Sequence, residues 1–271
     1  MREYGLKANK RLGQNFLIDR NIIDKIVDFA ALSGKDVVLE IGAGLGNITA
    51  DIAGRAKKVI AVEFDKGLFS VMKAGLGARK NVELFCSDIL KFDIKPYASE
   101  GKVKVIGNLP YYITTPVLEY LVENRGYIKE ALLMVQKELG ERLLAGPGSR
   151  VCGSISCYLS YYAKLEPKSV VKRTCFFPQP DVDSMLLRLE ALDAPPVAVN
   201  DEKQLFKIIR TAYNQRRKTL LASLSNKKVF GMDRARIKDI LGAAGVSPER
   251  RPESLTLEEF ARISNGFTEK N

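Results

Sequence analysis

Histidine and tryptophan are both absent from the 271 residues. Without imidazole the chain lacks the commonest general base and the usual partner of a nucleophilic serine or cysteine, which excludes the Ser-His and Cys-His hydrolases. Its four cysteines, Cys86, Cys152, Cys157 and Cys175, show no C-x-x-C spacing. With no His to complete a ligand set, that argues against a zinc site or a disulfide framework, and no metal is expected. No uninterrupted apolar run approaches the roughly 20 residues needed to cross a bilayer. The basic start, Met1 to Arg11, is followed by no signal-type apolar segment, so a cytoplasmic chain with no membrane partner is expected. Acidic residues are scarce as well: 32 Asp+Glu stand against 43 Lys+Arg, a formal net charge of +11. A polyanionic partner and a merely basic, solvated surface are weighted about evenly by that balance alone.

What is present reads as an α/β chain of ordinary hydrophobic content, 46%, long enough for one large domain or two smaller ones. The run Ile22, Ile23, Ile26, Val27 and Ala30 has helix spacing, with Asp19 or Asn21 available as cap. The preceding Gly13-Gln14-Asn15-Phe16-Leu17 reads as a lead-in. Strand, glycine turn and helix follow: Asp36–Ile41, then Gly42-Ala43-Gly44-Leu45-Gly46-Asn47, then Ile48 to Ala56. The glycines permit a tight turn and let a ligand approach the backbone near a helix N-terminus. A second strand, Lys58 to Glu63, ends in a carboxylate 21 positions after Gly42, the spacing at which an acidic residue reaches the hydroxyls of an adenosine ribose. Dinucleotide enzymes favour G-x-G-x-x-G. Here the third glycine comes one residue early, Glu40 stands before the turn, and no strongly basic group is ready for a pyrophosphate. An adenosyl ligand without phosphates, S-adenosylmethionine, is favoured over NAD.

A third strand, Val82 to Cys86, leads to Ser87-Asp88-Ile89, where Asp88 could accept from an adenine amino group and Ile89 cover its ring; a loop or cap aspartate is the plainer role. The fourth strand, Val103 to Gly107, opens into Asn108-Leu109-Pro110-Tyr111. Pro110 disfavours the helical region for Leu109, so the Leu109 carbonyl and the Asn108 side-chain oxygen can face one cleft beside the Tyr111 ring. Two acceptors next to a ring make a seat for a planar base bearing an NH2 group. Asn-x-Pro is also ordinary turn chemistry, and the motif in isolation favours the turn. Thr115 as cap and Pro116 at the first helical position then start a helix. Glu130–Val135 reads as a fifth strand, Lys137–Leu144 and Ser154–Ala163 as helices, and Leu165–Lys172 and Ser184–Leu189 as two last strands. Between these, Pro178 and Pro180 fix a loop that holds Phe176 at the rim of the sheet, as packing or as a stacking wall opposite Tyr111.

Ala194-Pro195-Pro196 marks a domain boundary, giving residues 1–193 and 194–271. The second part reads as helical, with a last helix carrying a capping box, Thr256 with Glu259, and an apolar staple, Leu255 with Phe260. From Asn200 onward there are 15 Lys+Arg against 9 Asp+Glu. Arg210, Arg216, Arg217 and Lys218 fall in a stretch without acidic residues, with Tyr213 between them. A charge run is usually a solvated face; here an RNA-facing surface is the favoured reading.

As an ordered set, Gly-Gln-Asn-Phe-Leu, Glu-Ile-Gly-Ala-Gly-Leu-Gly, Glu63, Ser-Asp-Ile-Leu, Asn-Leu-Pro-Tyr, Gln-Lys-Glu and Phe-x-Pro-x-Pro-x-Val-x-Ser resemble the ribosomal RNA small-subunit adenine dimethyltransferases. The likeness runs from about Arg11 to the closing Arg-Pro-Glu-Ser-Leu-Thr-Leu-Glu-Glu-Phe. It implies a Rossmann-like class I methyltransferase sheet of seven strands with a smaller all-helical C-terminal domain. It also implies S-adenosylmethionine as donor and, as acceptors, two neighbouring adenosines near the 3′ end of small-subunit rRNA in a pre-small-subunit particle; a monomer is expected. The resemblance assigns Asn15, Leu17, Gly42, Glu63, Asp88 and Asn108 to the cofactor, joined by Gly44 and Ile89, and Asn108, Leu109, Tyr111 and Phe176 to the target base. The macrolide-resistance methyltransferases of large-subunit rRNA share much of the set, but Leu12-Gly13, Leu109 and the Arg-Pro-Glu ending look closer to the small-subunit group. A DNA adenine methyltransferase and a non-catalytic ribosome assembly factor are the rival readings.

Overall fold

Runs of mainly β-branched and aliphatic residues pack only when both faces of a sheet are covered, and this chain has four of them, in Val37–Ile41, Lys58–Glu63, Val103–Asn108 and Ile128–Gln136. In the computed structural model, which describes residues 13–268, these runs form one sheet. The elements in order are β1 (Phe16–Leu17), α1 (Arg20–Phe29), β2 (Val37–Ile41), α2 (Asn47–Ala53), β3 (Lys58–Glu63), α3 (Lys66–Leu76) and β4 (Val82–Cys86). There follow β5 (Val103–Asn108), α4 (Thr114–Glu123), β6 (Ile128–Gln136), α5 (Lys137–Leu144), α6 (Ser154–Tyr162), β7 (Ala163–Val171), β8 (Phe176–Phe177) and β9 (Ser184–Ala191). The remainder is helical: α7 (Glu202–Asn214), α8 (Leu220–Leu224), α9 (Lys227–Phe230), α10 (Arg234–Ala243) and α11 (Leu257–Thr268).

The main sheet has seven strands in the order β4-β3-β2-β5-β6-β9-β7. Strands β4 to β6 run parallel, and β9 joins β6 antiparallel with Leu133 opposite Leu187. The order reverses between β2 and β5, where a crevice opens beyond the carboxyl ends of the strands. On one face, Ile23, Ile26 and Val27 of α1 and Ile52 of α2 pack on Val38, Val59 and Ile106. Near the edge of the sheet, Met72 and Leu76 of α3 pack on Ala43 and Ala61. Each such side chain withdrawn from water contributes roughly 1.5–3 kcal/mol before the entropy of ordering is subtracted.

Two expectations about local structure need correction. The lead-in Gly13–Leu17 contains a strand: β1 pairs antiparallel with β8, Phe16 opposite Phe177 and Leu17 opposite Phe176, as a separate two-stranded ribbon. Helix α4 begins at Thr114 with Ile113 as an uncapped N-cap, so Thr115 is not the cap. Pro116 sits in the first turn, where no N–H is needed for an intrahelical bond, while the Thr114 hydroxyl donates to the Pro110 carbonyl at 3.2 Å. Other caps fall as expected. Asp19 accepts from the backbone N–H of Asn21 and Ile22, and the box at α11 closes with Thr256 N donating to Glu259 at 2.8 Å and Glu259 N to the Thr256 hydroxyl at 3.3 Å. Both staple residues, Leu255 and Phe260, are fully buried.

The chain divides into two compact units. One takes in the described residues up to Gly140 together with Lys164–Ala191, the other Glu141–Ala163 and the chain from Leu192 onward. The boundary expected at residue 194 lies beside the later of these crossings. Residues 154–162, expected in the first domain, belong to the second unit because α6 is aromatic on the side it buries. The Tyr161 and Tyr162 hydroxyls donate to Glu202 of α7 at 3.2 and 2.6 Å, and Tyr158 meets the Phe206 ring edge-on at 5.0 Å between centroids.

Lys104 of β5 is 5% exposed. Its ammonium donates to the carbonyls of Ala30 and Ala31 at 2.8 and 2.9 Å, and Asp36 and Glu130 stand 3.6 and 3.3 Å away. The group ties the end of α1 to the middle of the sheet. Replacing it by an apolar chain strands two carbonyls and takes the cation from Asp36 and Glu130, which keep Ser33 and Arg188 as partners, so Lys104→Met is expected to cost about 3 kcal/mol. Urea unfolding measures this; an unchanged midpoint would refute the assignment.

Candidate active site

The C-terminal ends of β2, β3, β4 and β5 together wall a cleft of about 300 Å³. Its floor is the glycine turn after β2. Gly42, Gly44 and Gly46 all have positive φ, 70°, 60° and 84°. A Cβ at Gly44 would stand 3.4 Å from the Phe16 ring, and one at Gly46 would overlap Leu76 at 2.6 Å. The first two glycines therefore shape the cleft, whereas the third lets α3 pack against the turn.

Glu63, at the tip of β3, is 7% exposed. Its Oε2 accepts from Gly44 N at 2.8 Å and its Oε1 from Asp65 N at 2.8 Å. Burial raises its pKa while these N–H groups pull it back. The carboxylate is thus fixed in place with lone pairs left for a further donor. Asp88 caps the short 3₁₀ turn Ile89–Lys91, accepting from Leu90 N at 3.0 Å. It has the capping role noted as the plainer one, and it also lines the cleft with the buried Ile89 beside it.

At the tip of β5, the Asn108 side-chain NH2 donates to the Asn15 carbonyl at 3.1 Å. That bond commits the nitrogen end of the amide to the protein and leaves Oδ1 as the end available to a ligand. Leu109 is 2% exposed and lines the cleft; its side chain is apolar, so the one polar acceptor it has is its backbone carbonyl. Phe176 is 3% exposed, part of the core, and yet lines the cleft. The Tyr111 ring, expected as a wall, lies outside the described residues, as do Lys10, Arg11 and Leu12.

Of the residues expected at the cofactor, Asn15, Gly42, Gly44, Glu63, Asp88, Ile89 and Asn108 all line the cleft. Leu17 does not. Its buried side chain lines a small adjoining cavity with Glu40, Asn47 and Asn108, and its carbonyl accepts from the Asn47 amide at 3.4 Å. Sequence reasoning missed Tyr112 and Phe64, cleft-lining residues that are 54% and 58% exposed. Each directly follows a residue singled out, and an exposed aromatic at a strand end was the available signal. No Lys or Arg lines the cleft among the described residues. The polar side chains of the lining are mainly carboxylates and amides, rich in hydrogen-bond acceptors, which suits a cationic, adenosine-like ligand and offers no cation to a pyrophosphate.

The expected basic strip lies in the second unit. Arg210 is exposed on α7, and Arg216, Arg217 and Lys218 are exposed in the bend before α8. Arg216 donates to the Arg150 carbonyl and approaches Glu253 at 4.0 Å. Tyr213 does not interleave outward with these cations: its ring lies 6.3 Å from that of Phe260, and its hydroxyl meets Cys157.

Residues 5–267 match the family model described as ribosomal RNA adenine dimethylase. A relative from Moorella thermoacetica, named ribosomal RNA small subunit methyltransferase A, is 45% identical over 97% of this chain and 94% of its own length. One of the same name from Alkaliphilus oremlandii is 40% identical over 100% of this chain and 95% of its own. Among solved structures, a dimethyladenosine transferase from Plasmodium falciparum superposes with a TM-score of 0.73 at 26% identity, covering 92% of this chain and 95% of that one. The 23S rRNA methyltransferase ErmE does so with 0.70 at 25%, covering 94% and 100%.

Glu40, just before the glycine turn, is 3% exposed, and its Oε2 has no hydrogen-bond partner among the described residues. Burial pushes its carboxyl up to about 8, and the charge of Glu63 adds to the shift. The folded state therefore keeps a proton that the unfolded chain, with a carboxyl near 4.3, has released. The associated stability is complete below about pH 4 and is lost by up to about 1.4 kcal/mol per pH unit until about pH 8. Glu40→Gln is expected to remove that slope, gaining on the parent protein in denaturation midpoint as pH rises from about 5 to 8. Parallel profiles for the two would contradict it.

Proposed function

Because the chain belongs to the ribosomal RNA adenine dimethylase family, we propose that it is an S-adenosylmethionine-dependent methyltransferase that dimethylates the N6 amino groups of two adjacent adenosines in the 3′-terminal hairpin of small-subunit rRNA. Its substrate would be the RNA within a pre-small-subunit particle, met in the cytoplasm by a monomer. No helix among the described residues is long and apolar enough to cross a membrane. The observation that carries the reading is the Asn108 amide, whose nitrogen is held by Asn15 so that its oxygen is the end left for a ligand.

The donor fits the cleft on two grounds: glycines where side chains would intrude, and carboxylates without any lining Lys or Arg. Glu63 would hold the ribose hydroxyls, Asp88 the adenine amino group and Ile89 its ring, with Asn15, Gly42 and Gly44 supplying the remaining backbone wall. When bound, S-adenosylmethionine supplies an electrophilic methyl group on a sulfonium sulfur.

The chain's own contribution is orientation and electrostatics. An adenine amino nitrogen is a weak nucleophile because its lone pair is drawn into the ring. Asn108 Oδ1 and the Leu109 carbonyl, accepting from both N–H bonds of that NH2, favour a pyramidal nitrogen with its lone pair free to attack. The same two acceptors stabilise the positive charge that develops on nitrogen as the bond forms. Methylation acidifies the nitrogen, so its proton can pass to water, which suits a chain without His. Extruding the base costs a few kcal/mol, which stacking on Tyr111 and Phe176 would offset at about 1–3 kcal/mol per base. Arg210, Arg216, Arg217 and Lys218 would hold RNA phosphates.

Incubating the protein with labelled donor and unmethylated small subunits, large-subunit rRNA or duplex DNA tests the assignment. Label confined to two adjacent adenosines of the small subunit is expected; transfer to another substrate or none would overturn it. Asn108→Ala should lower turnover by about 100-fold or more while changing donor affinity far less. Charge reversal of Arg217 and Lys218 should weaken RNA binding and flatten its salt dependence by about one slope unit for each phosphate no longer neutralised.

A further inference from the structure

Cys152 and Cys157 take no part in the chemistry above. Both side chains are fully buried, and their sulfur atoms lie 3.6 Å apart. Cys152 lies in the loop into α6, between the exposed Val151 and the half-buried Gly153. Cys157 stands in the first turns of α6, its sulfur 3.7 Å from the Tyr213 hydroxyl. Buried cysteines commonly act as small apolar fillers. This pair differs in being within mutual hydrogen-bonding distance and unequal in acidity. Cys157 can donate its S–H to a Cys152 thiolate, and the Tyr213 hydroxyl, Ser156 and the charge of Arg216 assist, so the Cys152 pKa is lowered. That shared hydrogen bond, burial and the Cys152 charge together raise the Cys157 pKa. Two sulfurs 3.6 Å apart, one of which is helped to ionise by the thiol against it, have the arrangement of an attacking sulfur and a resolving one.

We propose that Cys152 and Cys157 form a modification site whose reactant is a hydroperoxide and whose product is a reversible intramolecular disulfide. The Cys152 thiolate attacks one peroxide oxygen. An S–O bond forms, the O–O bond breaks, and the other oxygen leaves, taking up a proton as water or an alcohol. Cys157 then loses its proton and attacks the sulfur of the Cys152 sulfenic acid; the S–S bond forms and the hydroxyl leaves as water. Two electrons pass from the two thiols to the peroxide, and a dithiol reverses the change. Closing the sulfurs from 3.6 Å to about 2.05 Å requires movement of the entering loop. That loop carries Gly146 and Gly148, both at positive φ, and neither meets close backbone.

The test exposes the reduced full-length protein to a few equivalents of hydrogen peroxide, removes the excess with catalase, alkylates in denaturant and maps peptides without reduction. A peptide linking Cys152 to Cys157, two hydrogens lighter and recovered as two thiols after dithiothreitol, is expected, with Cys86 and Cys175 alkylated. In Cys157→Ser, dimedone should trap a sulfenic acid on Cys152 at least about tenfold faster than it traps one on Cys157 in Cys152→Ser, as the thiolate controls the rate. The proposal is overturned if the wild-type pair alkylates fully after peroxide, or if Cys86 or Cys175 oxidises while the pair stays reduced. Because the wild-type chain carries the first readout, poor folding of either variant does not rescue the idea.

Discussion

The bond from the Asn108 side-chain nitrogen to the Asn15 carbonyl, 3.1 Å long, is the constraint on which the cleft depends. An amide presents a donor at one end and an acceptor at the other, and rotation about χ2 exchanges them at little cost. A fixed carbonyl on one side removes that choice. The carbonyl is fixed in turn because the next residues, Phe16 and Leu17, are paired to Phe176 and Phe177. Three segments distant in sequence, around residues 15, 108 and 176, therefore set the polarity of one side chain. Leu17, which stands outside the cleft itself, acts through this pairing.

The glycine turn and Glu63 form a second interdependent pair. The left-handed backbone at Gly44 aims its N–H at the carboxylate, and that donor, with Asp65 N–H, offsets part of the upward shift that burial at the tip of β3 imposes on the Glu63 pKa. Gly46 serves packing instead, since its missing Cβ is where Leu76 lies. This gives a physical reason for the third glycine to arrive early: the turn is closed by a helix from the neighbouring β-α unit, whose Met72 and Leu76 lie where a Cβ at Gly46 would stand.

Much of the sheet was legible because buried parallel strands are written as continuous apolar runs, and β3 has the bounds such a run suggests; β4, a half-exposed edge strand with Glu83 inside it, was legible from its β-branched and aromatic residues. The box at Thr256 and Glu259 was legible for a similar reason, being local chemistry at fixed spacing. The ribbon of β1 and β8 was not. Two-residue strands have no period, and their partners lie about 160 positions apart. Nor was the departure of Glu141–Ala163 from the sheet-bearing unit visible, because α6 reads as a helix in either unit and only Glu202 and Phe206 reveal where its tyrosines go. Tyr213 shows the same limit: an aromatic among arginines suggests stacking, but helical phase turns it toward Phe260 and Cys157.

Charge is divided along the chain in a way that net composition conceals. The excess of +11 would suit phosphates anywhere, yet no Lys or Arg lines the cleft among the described residues, and Glu63 and Asp88 do. A site meant for a diphosphate would need the opposite. Carboxylates in a partly desolvated cleft favour a cation and resist an anion by amounts that bulk water would screen away. Arg210, Arg216, Arg217 and Lys218 of the second unit are exposed and have no acidic neighbours in sequence, which suits the proposed action on a polyanion at longer range. A cationic methyl donor and a polyanionic acceptor make opposite electrostatic demands, and a single chain can meet both only by keeping the two kinds of side chain apart.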